Sequence, residues 1–240
     1  MTPEVFHSVC YKIANAPIRT YPYPHFFIES IFPQDFYEEL LSFLPETHLY
    51  QKLSETGKAS VAYDKRYIFS LEEKEFTKLS LPSLFFWQKF AFYLNDPVFI
   101  NLLIEKFKPE IIARFNKHFS SLRFYSLAEL VRDFQHYSIG PHTDHPARVI
   151  TLLFYFPKDD QKSHLGTSIY RPTDPKFTCE GFKHHPFEGF VNMQTLPYLP
   201  NSLIGFVKTD QSFHGVEPIQ EEGYERNLMN FYVRWEKPCP

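Results

Sequence analysis

Tyr137-Ser-Ile-Gly-Pro-His-Thr-Asp-His145 decides how this chain reads. The stretch follows a strand-like run, breaks at Gly140-Pro141, and then presents His142 and Asp144 two residues apart. On an extended backbone, side chains two apart leave the same face, so an imidazole and a carboxylate project together. They are two ligands for a divalent cation. A third is expected at His214, in the run Ser212-Phe-His-Gly-Val216, where a later strand opens. Alone, a His-x-Asp triplet recurs by chance. The strand before it, the break, the apolar strand after it and the late His-Gly give it context, because ligands rising from strands of one barrel converge at its open end.

Outward from this stretch, the pattern of strands sets the fold. Leu130 to Tyr137 alternates, and Arg148 to Phe156 is the most apolar strand of the chain. Short strands follow at Thr167–Tyr170, Phe190–Met193, Ser202–Val207, His214–Ile219 and Arg226–Trp235. Many short strands with turn signals between them, and no βαβ alternation, predict an α+β chain built on a double-stranded β-helix, or jelly roll. Before the barrel, Pro24–Ile28 reads as a strand, and Pro33 opens a helix whose apolar face includes Phe36, Leu40 and Leu41. Leu81–Leu94 reads as a second helix. A third is capped by Asp96, opened by Pro97 and runs to about Phe119, with Pro109 as a possible split. Met1 to Tyr21 reads as an irregular arm, and Leu49 to Ser70 as a loop with a strand near Tyr67–Phe69. The expected organisation is a supporting helical segment over 1–121 packed on a jelly-roll catalytic core over 122–240, together one compact domain. Arg171 to Gly189 lacks periodicity and is expected to be a functional lid or disordered. With Leu49–Ser60 it is expected to line the substrate pocket.

Composition narrows the function classes. Of 240 residues, 43% are hydrophobic and 18% aromatic, enough for a broad β-rich core. Net charge is −3 without runs of one sign, so neither nucleic acid nor an anionic membrane is an expected partner. Cys10, Cys179 and Cys239 are far apart and form no Cys-x-x-Cys, which argues against a disulfide framework or a zinc knuckle. No signal-like segment opens the sequence, and Leu84–Leu94 is too short to span a bilayer, so a cytoplasmic location is expected. The partner is then a small-molecule or peptide substrate; oligomeric state does not follow.

The ligand set points to a metal. Two imidazoles and one carboxylate, with other positions open, suit Fe(II), and the absence of thiolates argues against a closed structural zinc site. Zinc with an activated water competes for the same ligands. An inward carboxylate clamp separates the two chemistries. Arg226 opens the last strand and would face the barrel interior with Leu228 and Asn230. A guanidinium there can grip a carboxylate through two parallel hydrogen bonds. Tyr155, pointing inward with Leu153 and Thr151, would add a hydroxyl. Arg171 and Arg234 are lesser candidates for the clamp.

With these residues in hand, the chain resembles the 2-oxoglutarate- and Fe(II)-dependent dioxygenases, in their prolyl-hydroxylase-like branch. The resemblance covers Pro22 to Pro45 and Tyr137 to Arg234. The family's His-x-Asp falls on His142-Thr-Asp144, its distal His-Gly-Val on His214–Val216, and its Tyr-x-x-Gly on Tyr137 and Gly140. Its Arg-x-x-Thr-x-x-x-Tyr strand falls on Arg148, Thr151 and Tyr155, and its distal basic residue on Arg226. The resemblance implies Fe(II) and 2-oxoglutarate as cofactors, with His142, Asp144 and His214 on the metal and no catalytic residues beyond these ligands. It places Arg226, Tyr155, Tyr137 and Thr151 at the co-substrate. The implied activity is hydroxylation of a C–H bond, with release of succinate and carbon dioxide. The usual Gly-Gly is Leu165-Gly166 here, which weakens the case for a peptidyl-proline substrate. A cupin-like metal enzyme without 2-oxoglutarate, or a non-catalytic metal-binding jelly roll, is the alternative.

Overall fold

Two long strands, β4 (Arg123–Asp133) and β11 (Arg226–Glu236), pair antiparallel along their whole lengths, from Arg226 opposite Asp133 to Glu236 opposite Arg123. The computed structural model describes residues 1–57 and 64–236. Around that pair a seven-stranded sheet runs in the order β1-β9-β6-β11-β4-β3-β2. Its other members are β1 (His25–Ile28), β2 (Gln51–Lys52), β3 (Arg66–Ser70), β6 (Arg148–Tyr155) and β9 (Ser202–Val207). A four-stranded sheet faces it in the order β5-β10-β7-β8, from β5 (Ile139–His142), β10 (His214–Val216), β7 (Thr167–Pro172) and β8 (Phe190–Leu196). Val131, Leu153, Tyr155, Ile204 and Leu228 of the large sheet share one buried cluster with Ile169, Leu196 and Val216 of the small one. This is the double-stranded β-helix.

The outer face of the large sheet carries the helices: α1 (Pro3–Asn15), α2 (Gln34–Ser42), the short α3 (Glu73–Phe76), α4 (Leu81–Leu94), α5 (Pro97–Lys106) and α6 (Lys108–Phe115). Trp87, Phe90, Phe99, Leu103 and Phe107 pack with Leu130, Leu152, Phe154, Met229 and Phe231 in the larger core. Burial of β6 on both faces explains why its sequence is one apolar run rather than an alternation.

Several boundaries differ from the sequence reading. The first residues are not an irregular arm. They form α1, capped by the Thr2 hydroxyl accepting from Val5 N, with Phe6, Val9 and Ile13 buried. The polar residues between these three hide a valid helical stripe. The helix expected from Pro97 to about Phe119 is two. Asp96 caps α5 as expected, but α5 ends at Lys106, and Pro109 sits in the first turn of α6, where its missing N–H costs nothing. Strand β4 begins at Arg123, not Leu130, and ends at Asp133, so Tyr137 lies in the turn beyond it, after His136 at φ 69°. Of the segment Arg171–Gly189, the first two residues end β7, and the loop beyond is tied down beside the triad: Thr143 Oγ1 donates to Cys179 O (2.7 Å) and His185 N to Pro141 O (2.9 Å). Residues 58–60 of the other expected pocket loop, and position 239, fall outside the described residues.

Candidate metal centre

The small sheet sets two of the three ligands opposite each other. His214 pairs directly with His142 across β10 and β5, and their ring centroids are 4.3 Å apart. Asp144 lies two residues beyond β5. Ligand atoms of His142, Asp144 and His214 all fall within 4.8 Å of one another. Relative exposures are 9%, 2% and 7%, so the cluster is nearly closed to water.

Both glycines of the motifs serve close backbone approach. A Cβ on Gly215 would stand 2.5 Å from Ile139 O, and one on Gly140 would stand 2.1 Å from His185 O. The first keeps β10 against β5 and so keeps the two histidines together. The second lets the 173–189 loop close down beside the triad, where the His184 ring sits 4.6 Å from His142.

Hydrogen bonds fix how each ligand points. His142 Nδ1 contacts Gly140 O and His214 Nδ1 contacts Ser212 O, each at 3.0 Å. A carbonyl only accepts, so each Nδ1 carries the proton, leaving Nε2 with a free lone pair. Asp144 is held at both oxygens: Thr151 Oγ1 donates to Oδ2 (2.6 Å) and Arg148 to Oδ1. The Arg148 guanidinium lies 3.7 Å above the Tyr232 ring, which fixes it in turn. Burial pushes the Asp144 carboxyl up, but Arg148 first, then His214, His142 and the Thr151 hydroxyl, hold it well below the usual carboxylate range. Burial, with His214 beside it, lowers His142 to about 3, and burial lowers His214 as well. The set is one carboxylate and two neutral imidazoles, the protonation state a metal requires.

The triad opens onto a pocket whose walls include Arg66, Arg148, Thr151, Thr167, Arg226 and Asn230. Arg226, fully buried, points into it. Its Nε donates to Leu165 O (2.6 Å) and its Nη1 to Asp133 Oδ2 (2.8 Å). Arg171 is exposed, and Arg234 leans over Tyr125 at 5.9 Å, so neither faces the triad's pocket. Tyr155 Oη donates to Thr167 Oγ1 (2.6 Å) and lies 3.5 Å from Arg226 Nη2, behind the pocket wall rather than on it. Tyr137 is buried under the Arg66 guanidinium (4.2 Å). His145 turns away from the triad to accept from Ala147 N and meet the Phe182 ring edge-to-face. Gln135 bonds Gln220 O outside the pocket. Sequence reasoning did not single out Asp133, Arg66 or Thr167. The first two lie on strands far apart in sequence, and the only local signal was the place of Asp133 in a strand entering the site.

No family model matches the chain, and no curated protein matches it in sequence. Solved structures do. A prolyl-4-hydroxylase from Pseudomonas putida superposes with a TM-score of 0.50 at 12% identity, over 95% of this chain and 98% of that one. The chain has the fold of a 2-oxoglutarate/Fe(II) oxygenase. A Trichoplax adhaerens prolyl hydroxylase, solved with a hypoxia-inducible-factor peptide, gives 0.48 at 12% identity over 96% and 89% of the two chains. The carbocyclase SnoK of nogalamycin biosynthesis gives 0.49 at 7% over 98% and 84%. On this oxygenase fold the two histidines lie on neighbouring strands of the small sheet and Arg226 opens a strand of the large one.

The residues fit ferrous iron and 2-oxoglutarate. Two Nε2 atoms and a braced carboxylate are an N,N,O donor set for Fe(II). Between the triad and Arg226, the buried Asn230 Oδ1 has no protein partner among the described residues, so this wall of the pocket retains polar capacity for a ligand.

Proposed function

We propose that this protein is a 2-oxoglutarate- and Fe(II)-dependent oxygenase that hydroxylates a C–H bond of a small molecule or peptide, releasing succinate and carbon dioxide. One observation carries the reading: the triad and an inward guanidinium share a single pocket. His142, Asp144 and His214 would hold the iron through two Nε2 atoms and a carboxylate oxygen. When bound, iron would supply dioxygen activation, with 2-oxoglutarate as the source of two electrons.

The rest is done by the chain. Arg148 and Thr151 orient the Asp144 carboxylate, and backbone carbonyls orient the imidazoles, so the ligands are arranged before metal arrives. Arg226 orients a carboxylate at the far end of the pocket, and Tyr155 and Thr167 support its Nη2. The 173–189 loop excludes water from one side of the triad. An inward guanidinium favours this reading over a zinc hydrolase, whose activated water needs no carboxylate-bearing co-substrate. Residues 1–121 and 122–240 act in it as one unit. We place the protein in the cytoplasm; no helix among the described residues is long and apolar enough to cross a membrane.

Incubation with Fe(II), ascorbate, dioxygen and 2-oxoglutarate is expected to yield succinate, seen by NMR, even without the substrate, at the slow uncoupled rate. His214→Ala should yield none above the protein-free control. Succinate from the variant at the wild-type rate would remove the proposal.

A further inference from the structure

Asp133 has no exposure, and two guanidiniums share it. Arg66 donates from Nε to Oδ1 (2.6 Å) and from Nη2 to Oδ2 (2.8 Å), while Arg226 donates from Nη1 to Oδ2 (2.8 Å). The three residues come from neighbouring strands at directly paired positions, with Arg66 opposite Asp133 and Asp133 opposite Arg226. Two cations on one carboxylate form an array with one excess positive charge, and no other carboxylate among the described residues is bonded to either guanidinium. Both arginines line the pocket that holds the triad. A charge held in such burial calls for a counter-charge.

Arg226 is not free to present a full fork to a ligand. Its Nε belongs to Leu165 O and one Nη1 proton to Asp133, so the second Nη1 proton and Nη2, which has only long contacts of 3.3 Å and 3.5 Å to Thr167 and Tyr155, carry its remaining capacity. Arg66 has the complementary shortfall. Its Nε and Nη2 are committed to Asp133, and its Nη1 has no hydrogen-bond partner among the described residues. Each guanidinium therefore offers part of a carboxylate receptor.

We propose that Arg66 and Arg226, held side by side by Asp133, jointly receive the distal carboxylate of the co-substrate. Arg66 thereby adds to the preference for dicarboxylic 2-oxo acids that Arg226 alone would give the pocket. This inference rests on the oxygenase reading above. It adds a residue from β3, outside the jelly-roll segment, to the binding of the co-substrate.

The test is calorimetry on the Mn(II)-loaded full chain, comparing 2-oxoglutarate with 2-oxopentanoate, which has the same carbon chain but no distal carboxylate. The wild type should prefer 2-oxoglutarate by about 100-fold or more, and Arg66→Met should lose about 10-fold or more on 2-oxoglutarate alone. Arg66→Lys should recover part of that loss. Thermal melting and Mn(II) affinity without co-substrate report whether the variants are folded; if Arg66→Met is not, Arg66→Lys against wild type carries the same comparison. Equal weakening of both acids, or of neither, would overturn the role of Arg66 and leave the oxygenase reading standing. Failure of the wild type to bind either acid would overturn both.

Discussion

His142 and His214 each spend Nδ1 on a backbone carbonyl, and that single hydrogen bond decides which nitrogen can meet a metal. Burial and His214 lower His142 to about 3, from an ordinary 6.5. A proton therefore binds the unfolded chain more tightly than the folded one between those values. The sign follows: His142 contributes its full stability above about pH 6.5, and loses it as pH falls toward 3. Denaturant titrations of the metal-free protein at pH 7.5 and 5 should show a loss from this residue of roughly 2 kcal/mol, abolished in His142→Gln. A pH dependence unchanged by that substitution would contradict the burial argument. The imidazole therefore stays neutral, and open to a metal at Nε2, well below the usual histidine range. That His142, Asp144 and Arg226 turn into one pocket was readable from residue spacing, although Asp144 lies past the end of β5 and Arg226 on another strand. Asp133 and Arg66 were not. Their pairing with Arg226 depends on which strands become neighbours, and no local pattern encodes that.

At the scale of elements, β5 and β10 matter most, because His142 and His214 stand opposite each other only while these short strands touch. Gly215 is the contact that permits it. Gly215→Ala places a methyl group 2.5 Å from Ile139 O, so one of the strands must move. The expected cost is about 1–3 kcal/mol of stability. Mn(II) affinity, read by calorimetry, should fall about 10-fold or more as the ligands separate. Unchanged metal affinity would show that the histidines do not depend on this contact. The His-Gly pair was readable as the opening of a strand, though its reason, the approach of a carbonyl from β5, was not. Among the helices, α4 was read end for end because its apolar run is dense, and α5 was started correctly because Asp96-Pro97 is a strong opening signal. α1 was missed. Three buried residues in thirteen are a thin stripe, and what makes them a helix is the sheet-backing core they enter.

Across the whole molecule, the two sheets divide the work. The small sheet and the segment after β5 gather the three ligands, while β3, β4 and β11 of the large sheet assemble the charged array at the other end of the pocket. The helices cover the outer face of the large sheet, so that the strand positions behind the pocket are packed from both sides. The fold class was legible from the succession of short strands after a helical half. The sheet order was not, because β1 and β3 come from the first half of the chain yet join the sheet that bears Arg226. The account stands on one pocket that takes a metal at one end and a carboxylate at the other. The most direct measurement is anaerobic mixing of the protein with Fe(II) and 2-oxoglutarate, followed by visible absorption for the band of the iron–2-oxo acid chelate. The band is expected in the wild type, absent in His214→Ala, and reached only at higher 2-oxoglutarate in Arg226→Ala. No band in the wild type, or one that survives His214→Ala at full strength, would contradict the account.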